Sequence, residues 1–323
     1  MRRYLPLLLL FCLLLSGCTA RDPIAPTADV NALPAPGPDD TAVSPHREEA
    51  TLWFRLGEEA LLAPETRELS VSPTASYELA LLQALTDGPA AASTELTGLF
   101  PPGTRVNAVH RQGRTLFVTL SRQIMNAFAD EPSVWESDPA WAEEVPLRRL
   151  LAMHAIAATV TENCDVDQVI ILVEQSAANP DSLRLRQSYY RTGGDDNALA
   201  EPLTRNESLL LTPYNTARVV LDCWQTRNWA RLYTFMARTD ADGQARPAYD
   251  DFAAQMDALP HLTGYSLSTG NVSLDGQRAA FTVTATILDG TQTAQRTWTL
   301  HLTRERGLWR IVLSQLTERE VQP

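Results

Sequence analysis

The chain has 323 residues, of which 44% are hydrophobic, and a formal net charge of −12. That acidic balance excludes the basic footprint a nucleic-acid binder needs, and a broad basic contact with anionic lipid headgroups. The chain has no lysine at all, its 27 Lys+Arg positions being all arginine, which removes Schiff-base chemistry, a phosphate-loop lysine and a lysine base together.

The chain opens Met1-Arg2-Arg3-Tyr4, runs through an apolar stretch from Leu5 to Leu15, and closes it with Ser16-Gly17-Cys18. A basic start, a short apolar run and small residues make a secretory leader, and the run is shorter than the ~20 residues a spanning helix needs. A cysteine stands where the mature chain would begin. Leu15-Ser16-Gly17-Cys18 resembles the bacterial lipobox, which implies a diacylglycerol on the Cys18 thiol and further palmitate-type acylation. Several such chains hold a protein firmly, at ~0.8 kcal/mol per buried CH₂. The competing reading is a plain secretory leader with a chance cysteine. The resemblance implies a lipid-anchored protein on the extracytoplasmic face of the bacterial cell membrane.

Residues 19–49 carry Pro23, Pro26, Pro34, Pro36, Pro38 and Pro45 among Ala, Asp and Thr. Such a segment buries too little to fold and reads as an extended tether, at ~3.1 Å per residue.

The first folded region is expected over 50–192. Strands are predicted at Thr51–Phe54 and Glu65–Val71, and a helix over Thr74–Thr86 that Gly88-Pro89 stops. Arg105–Arg111 and Arg114–Ser121 read as a hairpin, Leu147–Glu162 as a helix, and Val169–Val173 as a short buried strand. The mix predicts an α+β sandwich, one sheet against two helices. Between these elements, Phe128–Val145 holds six acids with Trp135 and Trp141. It reads either as an acidic surface excursion whose tryptophans pack on the body or as a partner-binding loop, since exposed aromatics favour interfaces.

Gly193-Gly194-Asp195-Asp196-Asn197 marks a polar linker, 193–205. The second region, 206–318, begins with a long helix over Thr216–Met236 and a shorter one over Pro247–Leu259. Four strands follow: Leu262–Leu274, Gln277–Leu288, Thr291–Arg304 and Leu308–Leu316. Asp275-Gly276 and Asp289-Gly290 supply hairpin turns. Phe281, Val283, Ala285 and Ile287 alternate with polar residues, as do Trp298, Leu300 and Leu302. One apolar face on an antiparallel meander predicts a curved sheet wrapped around a helix.

The first region resembles the GerMN domain of sporulation and spore-germination lipoproteins. The resemblance rests on motifs in series over 50–175: Thr51-Leu52-Trp53-Phe54, Leu62-Ala63-Pro64-Glu65-Thr66-Arg67, Ala84-Leu85-Thr86-Asp87-Gly88-Pro89, Leu96-Thr97-Gly98-Leu99-Phe100-Pro101-Pro102-Gly103-Thr104, and Gly113-Arg114-Thr115-Leu116-Phe117-Val118-Thr119-Leu120-Ser121. Two departures stand out: the Trp135/Trp141 stretch looks like an insertion, and the strand that often ends in glycine ends at Glu174-Gln175. The family brings no catalytic residues; its fold is similar to ring-building modules, which implies assembly or scaffolding by analogy. The second region resembles the nuclear-transport-factor-2-like cone in helix and strand order. The resemblances imply a non-enzymatic envelope scaffold, in sporulation or spore germination. Other envelope or sporulation proteins, or a second copy of the chain, would be its partners. The alternative is a cone that binds a small ligand in a cavity near Trp224, Tyr233, Phe281 and Trp298.

Little in the sequence speaks for chemistry. His46, His110, His154, His261 and His301 show no metal-ligand spacing, and no nucleophile elbow, phosphate loop or dinucleotide fingerprint occurs, so no metal or cofactor is expected. His154 reads as a hydrogen-bonded core histidine. The one acid–base test is Asp222 or Asp257 beside Tyr233 or Tyr249, since a buried carboxylate can work as an acid. Cys164 and Cys223 read as buried thiols, with a bridge between them as the alternative.

Overall fold

A computed structural model describes residues 45–176, 179–193, 195–240, 243–290 and 292–317. Cys18, the leader, the tether up to residue 44, and residues 194, 291 and 318 lie outside the described residues. The described chain is α+β, in two lobes.

In the first lobe, β1 (His46–Leu56) and β2 (Leu62–Val71) form a hairpin paired from His46↔Val71 to Arg55↔Leu62. The first strand therefore starts inside the expected tether. β3 (Leu96–Thr97) pairs β1 only at Arg55 and Leu56. α1 (Tyr77–Asp87) starts on Ser76, whose side chain accepts from the Leu79 amide, a common N-cap. A second sheet has the order β4-β5-β6-β7, from β4 (Val106–Gln112), β5 (Thr115–Leu120), β6 (Gln168–Ser176) and β7 (Asn179–Arg184). β5 and β6 run parallel, so a crossover must join them. α2 (Pro139–Asn163) is that crossover.

α2 also explains why the lobe has two sheets where one was expected. Asn163 accepts from the Thr51 amide at 2.9 Å and donates to the Thr51 carbonyl at 2.8 Å, and the Thr159 hydroxyl accepts from the Trp53 amide at 3.1 Å. Beyond β3, the second edge of β1 is thus occupied by helix side chains rather than by another strand, which also blocks edge-to-edge pairing.

The expected linker is part of this lobe. Within it, β8 (Leu203–Thr204) pairs β6 at Gln168 and Val169, and Ala200 and Leu203 are buried. The helix expected from Leu147 begins at Pro139, because Asp138 caps it by accepting from the Ala140 amide and proline suits the first turn.

The second lobe opens with α3 (Pro213–Thr226) and α4 (Trp229–Thr234), where one helix was expected. Arg227 stands at φ 55°, a left-handed helix end, and the Asn228 side chain restarts the chain by accepting from the Arg231 amide. α5 (Tyr249–Asp257) follows. The sheet comprises β9 (His261–Leu267), β10 (Asn271–Val272), β11 (Arg278–Asp289), β12 (Gln292–Glu305) and β13 (Leu308–Ile311). β9 and β10 both pair β11, so the strand expected over Leu262–Leu274 is two strands. The last expected strand stops at Ile311, and α6 (Ser314–Thr317) follows. The inward faces of β11 and β12 close on Trp224 of α3, whose ring centroid lies 6.1 Å from that of Trp298.

The lobes meet along a bonded seam. The Leu62 carbonyl accepts from the Leu211 amide at 2.7 Å. Glu59 accepts from Arg231 with both carboxylate oxygens. Arg310, only 3% exposed, reaches Glu95 at 2.9 Å. The two lobes belong to one compact unit.

Candidate functional site

The acidic excursion folds onto the start of α2 through arginine. Arg148 pairs with Asp130 at 2.7 Å and Glu144 at 2.5 Å, while its guanidinium lies 5.3 Å from the Trp141 ring and 5.5 Å from the Phe128 ring. Arg149 lies 5.6 Å from Trp135 and 5.1 Å from Tyr189. Arg55, buried beneath, pairs with Glu144. Both tryptophans are half-buried. These arginine–aromatic stacks, each worth about 0.5–2 kcal/mol, hold the excursion against the body. The hydrogen bond from Arg148 holds the Asp130 carboxyl below its ordinary range. Burial pushes Glu144 up, but Arg55 and Arg148 outweigh it and leave that carboxyl lowered too.

Behind Arg149 and Tyr189 the surface opens into a groove of about 410 Å³. Val173 and Leu185 are its buried apolar part, and Met125 and Leu183 stand 50% and 59% exposed beside it. Arg122, Arg184 and Arg186 line it as well. The Nε atoms of Arg149 and Arg184 are buried without a hydrogen-bond partner. Sequence reasoning missed this groove: its arginines are scattered from 122 to 186 and meet only because β6 and β7 bring Val173 opposite Leu183. The one local signal was an arginine at both Arg184 and Arg186.

The expected ligand cavity is corrected. Trp224, Phe281 and Trp298 are 0%, 2% and 5% exposed and pack into the core of the cone, because inward-facing aromatic side chains fill the space a ligand would need. Tyr233 is set apart from them: it lines a cleft of about 510 Å³ at the seam with Glu59, Arg231, Arg246 and Arg310. Its hydroxyl donates to the Pro247 carbonyl at 2.8 Å. The tested acid–base pairing is not formed either. Asp222 accepts from Tyr265 at 2.5 Å, not from Tyr233 or Tyr249, and Asp257 accepts from the Trp229 indole at 2.7 Å. His154 is half-buried with an unpartnered Nδ1, and burial lowers its pKa against the opposing effect of a hydrogen bond that the ring donates to the Thr204 backbone.

Cys164 and Cys223 are free thiols in different lobes, and burial pushes each up to about 11. Among the described residues there is no group of three or more metal-ligating side chains, and no helix is long and apolar enough to cross a membrane.

With this geometry in hand, residues 51–178 match the family model Germane, described as "Sporulation and spore germination". The match covers less than half of the chain. Among solved structures, the tandem GerMN domains of the sporulation protein GerM from Bacillus subtilis are 14% identical, with 51% of this chain and 47% of that chain covered and a TM-score of 0.32. The chain thus spans about half the length of that protein. A putative lipoprotein from Clostridium perfringens is 14% identical over 51% of this chain and 90% of its own, with a TM-score of 0.27. An NTF2-like protein of unknown function in nutrient uptake from Rhodospirillum rubrum is 17% identical over 31% of this chain and 92% of its own, with a TM-score of 0.24. No curated protein matches the chain. Over residues 51–178 the first lobe thus resembles the Germane family of sporulation and spore germination.

Proposed function

We propose that this protein is a membrane-anchored extracytoplasmic lipoprotein, acylated at Cys18, that works as a non-enzymatic assembly module of the cell envelope in sporulation or spore germination. The observation that carries the reading is the groove of the first lobe, with Met125 and Leu183 exposed beside three arginines that have no carboxylate partner among the described residues. Exposed apolar side chains flanked by arginine suit a protein interface, where arginine and aromatic residues concentrate. The filled core of the cone supports a second interaction surface rather than a ligand chamber. The lipobox-like leader and the proline-rich stretch after it, read from the sequence, support the anchored part of this reading.

Two measurements in intact cells test this. The wild-type chain takes up labelled acyl chains, Cys18→Ala does not, and the variant is lost from the membrane fraction. Crosslinking with the Cys18-anchored protein as bait captures envelope proteins during sporulation or germination. Acylation of Cys18→Ala, or a strictly monomeric protein at every growth stage, overturns the reading.

A further inference from the structure

The chain is acidic overall, and most arginines on the first lobe are held by a carboxylate, as Arg55, Arg67, Arg111, Arg114, Arg148 and Arg205 are. The groove between β7 and the start of the crossover that leaves β5 departs from that pattern. Arg122 donates to the Gln175 carbonyl at 3.1 Å, and Arg186 only reaches the Asp196 carbonyl and Asn197 side chain at 3.4–3.5 Å. Neither they nor Arg184 forms an ion pair with a described residue. Arg149 reaches Glu131 only at 3.6 Å. Against these four cations the groove lining presents one carboxylate, Glu174, which accepts from Asn107 at 3.1 Å.

The Nε atoms of Arg149 and Arg184 are buried without a partner, so within the described residues neither guanidinium has its full set of acceptors. The forks of Arg184 and Arg186 suit carboxylates, which they can grip with two parallel bonds. A free anion would satisfy the charges but would leave Leu183 and Met125 in water. The lining therefore asks for a ligand with carboxylates and apolar side chains together.

We infer that this groove docks an acidic, leucine-like segment of a partner protein, its carboxylates on Arg122, Arg184 and Arg186 and its apolar side chains on Leu183 and Met125. The inference deepens the assembly reading and rests on it. Charge complementarity carries the choice of occupant: a basic segment would be repelled, and a second copy of this acidic chain would have to bring a carboxylate-rich face to the groove.

The test uses the purified protein without its leader and a fluorescein-labelled peptide alternating glutamate and leucine. Saturable binding is expected, falling at least tenfold between low and high salt, as surface charge pairs do. The double variant Arg184→Ala/Arg186→Ala and the single variant Leu183→Asp each weaken it at least tenfold, while Arg278→Ala, exposed on the other lobe, leaves it unchanged. Thermal melting confirms that each variant folds. A peptide alternating lysine and leucine does not bind. Failure of the glutamate peptide to bind, equal binding by the lysine peptide, or unchanged affinity in folded variants overturns the inference. So does tighter binding of phosphatidylglycerol vesicles that the same variants abolish, which would make the occupant a membrane. Partners captured in cells despite such a failure would leave the assembly reading standing and sink only this site.

Discussion

Gly270 shows how one residue fixes the second lobe. It stands at φ 71° between β9 and β10, and a Cβ there would come within 2.2 Å of the Phe281 ring. Phe281 is 2% exposed and cannot swing aside without opening the core. Two penalties therefore add: a left-handed conformation that costs a non-glycine residue about 1–2 kcal/mol, and overpacking of about 1–3 kcal/mol. Gly276 offers the control, since it also has positive φ, at 67°, but meets nothing within 4 Å. Gly270→Ala is expected to lower unfolding stability by about 2–5 kcal/mol, and Gly276→Ala, which meets only the first penalty, by about 1–2 kcal/mol. Urea titration of both variants checks this, and equal losses would show that Phe281 yields. The sequence marks the turn at Gly276 by its Asp-Gly pair, but nothing local marks Gly270, whose constraint comes from a ring eleven residues further along.

At the scale of elements, the excursion before α2 is held by charge, and charge makes it sensitive to acid. Asp130 and Glu144 both have folded pKa values below their ordinary 3.8 and 4.5. A lowered carboxylate contributes stability that is fully present above its unfolded pKa and is lost as pH falls through the folded value. The excursion should therefore loosen below about pH 4, while the core strands stay folded to lower pH. Fluorine NMR on 5-fluorotryptophan-labelled protein, with Trp135 and Trp141 assigned by substitution to Phe, reads this directly. Arg148→Gln removes the partner shared by Asp130 and Glu144, so part of the acid form appears already at pH 7 and the further change on acidification shrinks. Acid-insensitive Trp135 and Trp141 signals would place the weight on packing instead. Much at this scale was legible in the sequence: the hairpins, α1 and the alternating strands of the cone all stand near their expected positions. Misses fell where long-range partners decide. β3 and β8 are only two residues long and exist because β1 and β6 pair them. The break at Arg227 follows from helix-end geometry that the apolar spacing of Val219 to Phe235 masks. The arginine groove was invisible for the same reason, being assembled by register across β6 and β7.

For the whole molecule, the seam decides whether the two lobes behave as one body. Periodicity could not foresee it, because its partners lie far apart along the chain. Leu62 lends its carbonyl to the start of the second lobe, Glu59 grips Arg231, and Arg310 sits almost dry between Glu95 and the Thr234 carbonyl. Burial lowers the pKa of Arg310, and the nearby Glu95 and Glu305 carboxylates oppose that shift. Removing Glu95 would leave a buried cation with less compensation, whereas replacing both partners removes the charge that needs it. Glu95→Ala is expected to cost about 1–3 kcal/mol, discounted because Glu95 is 37% exposed. The double variant Glu95→Ala/Arg310→Met should lose less than Glu95→Ala alone. Wild-type 45–323 should unfold in urea as one transition, by both tryptophan fluorescence and far-ultraviolet circular dichroism. If the lobes unfold in two separated steps, or if the double variant is the less stable, the seam is a contact between independent domains, and the groove and cone would reach their partners on a hinged arm rather than on one rigid body.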